Sequence, residues 1–288
     1  MLAKAKRITG TSLPDSKFRL HETHQFVDVA SVFEVLRGNL AAYRIRGFVP
    51  PEACRRIVEN FWASTARVPR TSGYGEEGVE GWFIGASHIE KTTLEYLESA
   101  RSFENAVKGL YAGTLNPSAL FRDTLVSGSG GRLTVRPAQF NGLRASDSKA
   151  VYWNSTGHFL LEPHEDYAQT KDPAQKGFEI QKATRVMALN VYAEVPASSG
   201  QLQMWNIEPD DATRADLGLT YSGFPYPAEL LTRFPSLIIP VETGDVCVIN
   251  GNLVHAVLRG NTEASPKKRL LMTCFTALTG DNELIWWT

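Results

Sequence analysis

The chain lacks several features that would have set its class. Three cysteines in 288 residues, Cys54, Cys247 and Cys274, are too few for a disulfide framework. Cys247 and Cys274 fall in apolar runs and are expected to be buried thiols, in keeping with a reducing, cytoplasmic setting. No stretch approaches the roughly 18 uninterrupted apolar residues of a membrane span. MLAKAKRITGTSLPDSK is basic without the apolar stretch of a signal peptide, and residues 1–25 are expected to be a flexible tail. Charge of one sign is missing too. A formal net charge of -1 excludes bulk attraction to nucleic acid or to an anionic membrane. Repeats and low-complexity linkers are absent. What remains is 43% hydrophobic, enough for a sizeable core, in a length that barrels and sandwiches often use as one domain. Residues 26–288 are expected to form it.

Two regions differ in pattern. Residues 26–130 read as mainly helical. PPEACRRIVENFWAS has Pro51 near a helix start and apolar residues three to four apart. SHIEKTTLEYLESARSFENAVKGLYAG and PSALFRDTLVSGSGG follow, while AAYRIRGFV alternates like a strand. Residues 131–288 read as short strands: RLTVRP, KAVYWNST, TRVMALNVYAEV, QLQMWNI, SLIIPVE, DVCVIN, VHAVL, KRLLMTCFTAL and ELIWW. Many short strands with Gly/Pro turns predict a jelly roll, here α+β with N-terminal helices buttressing it.

Within the strand region one constellation carries chemistry. FLLEPHEDYAQ runs an apolar strand into His164 and Asp166, and GDVCVINGNLVHAVL presents His255 89 residues later. Residues i and i+2 of an extended segment project from one side, so a strand end can offer His164 and Asp166 to one ion. With a distal histidine from another strand, these form a two-His-one-carboxylate set. Such a set holds one face of a non-haem Fe(II) and leaves the other open. The competing account is a turn-capping His164 and a solvated Asp166. Arg269 follows His255 by 14 residues and heads the apolar run LLMTCF. If buried there, its planar fork needs a carboxylate partner. Otherwise it is the edge of a solvated Lys267-Lys268-Arg269 cluster.

These stretches, with IRGFVPPEACRRIVE, SSGQLQMWNIEPD, SPKKRLLMTCF and the closing ELIWWT, resemble the Fe(II)/2-oxoglutarate-dependent oxygenases. Within them the chain is most similar to the carrier-independent hydroxylases and halogenases of free small molecules. The resemblance implies Fe(II), 2-oxoglutarate and O2 as cofactors and cosubstrate, with Arg269 on the far carboxylate of 2-oxoglutarate. The halogenases of this group carry a small residue, usually Gly, where this chain has Asp166. The expected reaction is therefore hydroxylation of an unactivated C–H bond in a free amino acid or nitrogenous natural product. Desaturation, cyclisation or halogenation are alternative outcomes, and a jelly-roll binding protein is the alternative outside catalysis. The expected partner is a small molecule, and the expected state is a monomer or homodimer. A Leu at position 271, where many relatives have Ser or Thr, leaves the finer cosubstrate contacts open.

Other residues are candidates for the site. Tyr152 and Asn154 share one face of their strand and Trp153 takes the other, so one face should meet cofactor or substrate. Tyr152 and Asn154 are put forward for the cofactor. His88 is read as the start of a helix after the Gly-rich TSGYGEEGVEGWFIG; the resemblance implies that this region lines the substrate pocket, against a surface His at a helix N-terminus. His158 and Trp205 are further substrate candidates, with core packing the alternative for Trp205. The Gly-rich segment itself is either a mobile loop over the entrance or a surface connector.

Overall fold

The computed structural model describes residues 6–69, 81–153, 158–197, 199–259 and 268–288. The first part contains β1 (Gly10–Thr11), β2 (Leu20–His24), helix α1 (Val29–Leu36), β3 (Ala42–Arg46), α2 (Pro51–Ala63), β4 (Val68–Pro69) and β5 (Gly81–Ile84). Helices α3 (Thr93–Gly109) and α4 (Pro117–Gly128) complete it. Strands then dominate: β6 (Thr134–Pro137), β7 (Gln139–Phe140), β8 (Leu143–Arg144), β9 (Lys149–Trp153), β10 (Phe159–His164) and β11 (Met187–Glu194). After these come β12 (Leu202–Trp205), β13 (Glu208–Pro209), short helices α5 (Asp211–Leu217) and α6 (Ala228–Leu231), β14 (Ser236–Ile239), β15 (Val246–Asn250), β16 (His255–Leu258), β17 (Leu270–Gly280) and β18 (Glu283–Trp287).

Most of the strands form two facing sheets, while β1-β13 and β7-β8 are separate pairs. The larger runs β2-β3-β15-β11-β17-β9-β5-β4, with β18 also on β17 and β6 on β18, and the smaller runs β10-β16-β12-β14. Strands β9 to β12, and again β14 to β17, alternate between the two sheets, with β12 and β14 paired in the smaller one, which is the double winding of a jelly roll. Period-2 alternation sorts the larger sheet. On β11, Ala188 and Tyr192 point into the space between the sheets, where they meet Leu160, Met204, Ile239 and Val257 of the smaller one. Met187, Leu189 and Val191 point outward, into a cluster with Val32 and Val35 of α1, Ile57 and Phe61 of α2, and Phe121 of α4.

Three expectations change. Residues 6–25 are not the flexible tail expected of them. Ile8 is fully buried, and β2 pairs in parallel with β3 over Leu20–His24, because Leu20 packs against the inter-sheet core. The Gly-rich segment reaches into the sheet: Gly81–Ile84 pairs with β9, while residues 70–80 lie outside the described residues. And α3 starts at Thr93 rather than near His88. Thr92 and Glu95 close a reciprocal capping box there, which sets the first turn.

Candidate active site

His164 ends β10 and His255 begins β16, and the two residues are register partners across this antiparallel pair. The chain turns after His164 so that Asp166 N–H donates to Gly251 O at 2.7 Å, in the turn between β15 and β16. Gly251 is required there, since a Cβ would stand 2.6 Å from Asp166 Oδ2. The result is a convergence of three donors. His164 Nε2 lies 3.8 Å from Asp166 Oδ1, and His255 Nε2 lies 3.5 Å from Asp166 Oδ2. One ligand atom from each residue falls within 4.8 Å of the others.

The imidazoles are oriented by the backbone. Nδ1 of His164 bonds Glu162 O at 2.8 Å, and Nδ1 of His255 bonds Leu253 O at 2.9 Å. A carbonyl can only accept, so each Nδ1 carries the proton and each Nε2 presents a lone pair to the common centre. Burial holds the His255 imidazole at a pKa of about 4, against the gain from its bond to Leu253. Burial also pushes the Asp166 carboxyl well up, with the charge of Glu165 adding and that of Lys149 opposing. Asp166 Oδ2 has no hydrogen-bond partner among the described residues. A buried carboxylate oxygen and two lone pairs facing each other are costly without a cation, and they fit a divalent metal.

Arg269 is buried beside β9 and β11. Its guanidinium lies 4.9 Å from the Trp153 ring and 5.3 Å from the Tyr192 ring, and its Nε–H donates to Gly200 O at 3.3 Å. Its Nη1 has no partner among the described residues. Burial lowers the pKa of the guanidinium, and Tyr192 offsets this in part. An apolar, aromatic seat with an open fork is suited to a carboxylate.

The family model for the carrier-protein-independent halogenase WelO5 matches residues 18–288. The chain belongs to this family. It is 29% identical over 258 residues to an L-isoleucine 3(1)-dioxygenase of Pantoea ananatis (strain AJ13355), covering 85% of this chain and 83% of the relative. It shares its fold with an N-substituted L-amino acid dioxygenase of Burkholderia ambifaria AMMD, with a TM-score of 0.54 and 14% identity over 91% of this chain and 92% of that one. The WelO5-type chain is a non-haem iron, 2-oxoglutarate-dependent dioxygenase, with Fe(II), 2-oxoglutarate and O2 as cofactors and cosubstrate. Among the described residues, no helix is long and apolar enough to cross a membrane.

The remaining candidates of this WelO5-family chain separate. Tyr152 does not share a side with Arg269. It belongs to the outward cluster, against Trp62 at 5.3 Å and Lys268 at 5.0 Å, because β9 sends Val151 and Trp153 inward. Trp153, and not Tyr152, therefore lies beside Arg269, and Asn154 lies outside the described residues. Trp205 packs behind the smaller sheet with Phe159, Ile207 and Leu219, because Leu202 and Met204 take the inner face. His158 is exposed, with its ring 4.6 Å from Phe159. His88 is no surface residue. It is 1% exposed among Tyr96, Phe275 and Trp287, and burial together with the charge of Lys149 lowers its pKa to about 3.

Sequence pattern alone missed Gly200, Gly251 and Tyr192. Only the Gly in SSGQ and the Gly-Asn turn before His255 were visible signals. A separate cavity of about 610 Å³ opens between α3 and the 137–147 segment, lined in part by Leu97, Tyr111, Leu143 and Trp286. Its lining contains none of the three converging donors.

Proposed function

We propose that this oxygenase hydroxylates an unactivated C–H bond of a free amino acid or a similar small nitrogenous molecule. His164, Asp166 and His255 would hold Fe(II), and Arg269 would hold the far carboxylate of 2-oxoglutarate. One observation carries the choice of hydroxylation: Asp166 is present and its two oxygens face both imidazole Nε2 atoms. Halogenases of this family resemblance have a small residue there, which leaves a coordination position for halide. The amino-acid reading is supported by the 29% identical isoleucine dioxygenase.

The protein's own residues do identifiable work. Backbone carbonyls of Glu162 and Leu253 fix the tautomer and ring orientation of the two histidines. Gly251 leaves room for the Asp166 carboxylate. Trp153, Tyr192 and Gly200 seat the Arg269 fork, so that one end of the diacid is fixed and the other is directed to the metal. The apolar space between the sheets excludes water from the reacting carbon. The outer helices stiffen the larger sheet that carries these groups. Bound iron supplies the oxidising chemistry, with 2-oxoglutarate consumed to succinate and CO2.

The test is incubation with Fe(II), 2-oxoglutarate, O2 and chloride across a panel of amino acids including L-isoleucine. The expected result is succinate formation matched to a product heavier by one oxygen. A chlorinated product would overturn hydroxylation, and absence of amino-acid-stimulated succinate would overturn the substrate class.

A further inference from the structure

Besides Arg269, a second cation lies on the inner face of β9. Lys149, Val151 and Trp153 alternate with Ala150 and Tyr152, and Val151 and Trp153 are in the inter-sheet core. Lys149 therefore shares their face. Its register partner on β17 is Thr273, whose partner on β11 is Asn190. Thr273 stands between Leu271 and Phe275, and Asn190 stands between Ala188 and Tyr192, all four of which pack in the inter-sheet core. A polar row of Lys149, Thr273 and Asn190 thus crosses an otherwise apolar wall. Lys149 stands four positions before Trp153 and the adjoining Arg269, about 13 Å along the strand. Asp166 bonds Gly251, which follows Asn250; Asn250 pairs with Met187, and Met187 pairs with Thr276, three positions beyond Thr273, so the Lys149 row lies between Arg269 and the triad end of that wall.

The ammonium is also oriented. Lys149 Nζ donates to Ser87 Oγ at 3.2 Å. Ser87 reaches it because Gly85, at φ +124°, passes close over the Lys149 backbone, where a Cβ would stand 3.1 Å from Lys149 Cα. Lys149 is only half-buried.

From this placement we infer that Lys149, steadied by Ser87, anchors the carboxylate of the amino-acid substrate beside the metal. The inference rests on the amino-acid reading above and adds the group that recognises the substrate. Two cations then divide two carboxylates by position: Arg269 takes the far end of 2-oxoglutarate, and Lys149 takes the substrate. Fixing the substrate's carboxylate at Lys149 decides which of its carbons faces the triad.

The experiment is anaerobic titration of the Fe(II)–2-oxoglutarate protein, read by the shift of its visible charge-transfer band. The probes are L-isoleucine, the other protein amino acids, and 2-methylbutylamine, which is isoleucine without its carboxylate. The wild type is expected to respond to an amino acid and not to the amine. Lys149→Met should weaken that amino acid roughly 10- to 100-fold, the loss of a charge-assisted contact, with 2-oxoglutarate affinity unchanged. Lys149→Arg should recover most of the affinity. If Lys149→Met binds the amino acid like the wild type, the anchor is overturned while the amino-acid reading stands. If Lys149→Met loses iron or 2-oxoglutarate instead, the lysine serves Asp166 or the cosubstrate, and the anchor is again overturned. If the wild type responds to no amino acid, the substrate reading falls and the anchor with it.

Discussion

A Cβ on Gly200 would stand 2.3 Å from Arg269 Cδ, so the backbone of one residue shapes the seat of the other's guanidinium. Gly200 also adopts φ +66°, which a side chain disfavours. Gly200→Ala should push the fork out of line with its ligand and raise the KM for 2-oxoglutarate by about tenfold or more, the scale of one misplaced charged hydrogen bond. Steady-state succinate assays would show it. An unchanged KM would mean that Arg269 does not hold the cosubstrate.

Trp153 and Tyr152 are neighbours with opposite fates. The Trp153 ring lies against Arg269 on the inner face, whereas Tyr152 packs on Trp62 outside. Trp153→Leu is expected to raise the KM for 2-oxoglutarate several-fold by removing the cation–π face, worth about 0.5–2 kcal/mol. Tyr152→Phe should leave it unchanged. The reverse pattern would show that β9 is used with the other face inward.

The contrast shows what was legible. Strand and helix identities followed from period-2 and period-3.6 patterning, and His164, Asp166 and His255 were visible because one strand end and one distant strand start supplied them. Which face of β9 turns inward was not visible, since both Tyr152 and Trp153 are large, aromatic and buried. That choice is made by the register with Leu271 and by the helices outside. The pairing of β2 with β3 was hidden as well, because HETH is polar and reads as tail until β3 offers it an edge. Gly200 and Gly251 are roles that exist only through contacts distant in sequence.

Arg136 ties three parts of the chain together. Its fork donates to both Glu179 oxygens, at 2.7 and 2.9 Å, and its Nε–H to Glu283 Oε1 at 3.0 Å. Burial would raise the Glu179 pKa, but Arg136 and the Gln139 N–H outweigh it, and the net shift is down. Glu283 is lowered by Thr279 and then Arg136. Both folded pKa values lie below the ordinary 4.5, so this contribution is complete above pH 4.5 and is lost as pH falls through the folded values. Arg136→Met should be less stable than the wild type at neutral pH, with the difference narrowing below pH 4.5. Urea unfolding across pH 3–7 would measure it, and a gap that stays constant with pH would refute the linkage.

Glu165 sits between two iron-ligand candidates and points away from them, into a buried pair with Arg214 at 2.9 Å. Its Oε2 accepts the N–H groups of Tyr167 and Ala168, at 2.6 and 3.0 Å, and so shapes the turn that presents Asp166. Burial raises the Glu165 pKa against the pull of Arg214. Arg214→Met leaves that carboxylate buried without its cation and should cost about 3–5 kcal/mol in stability. It should also weaken Fe(II) binding, because an unpaired Glu165 takes up a proton or shifts, and the Asp166 turn moves with it. Adding Glu165→Gln keeps an acceptor oxygen for the two N–H groups without the charge, and should recover part of both losses. Chemical denaturation and anaerobic Fe(II) titration of the single and double variants would decide. If Arg214→Met loses stability but binds iron normally, the pair braces the fold without aiming Asp166.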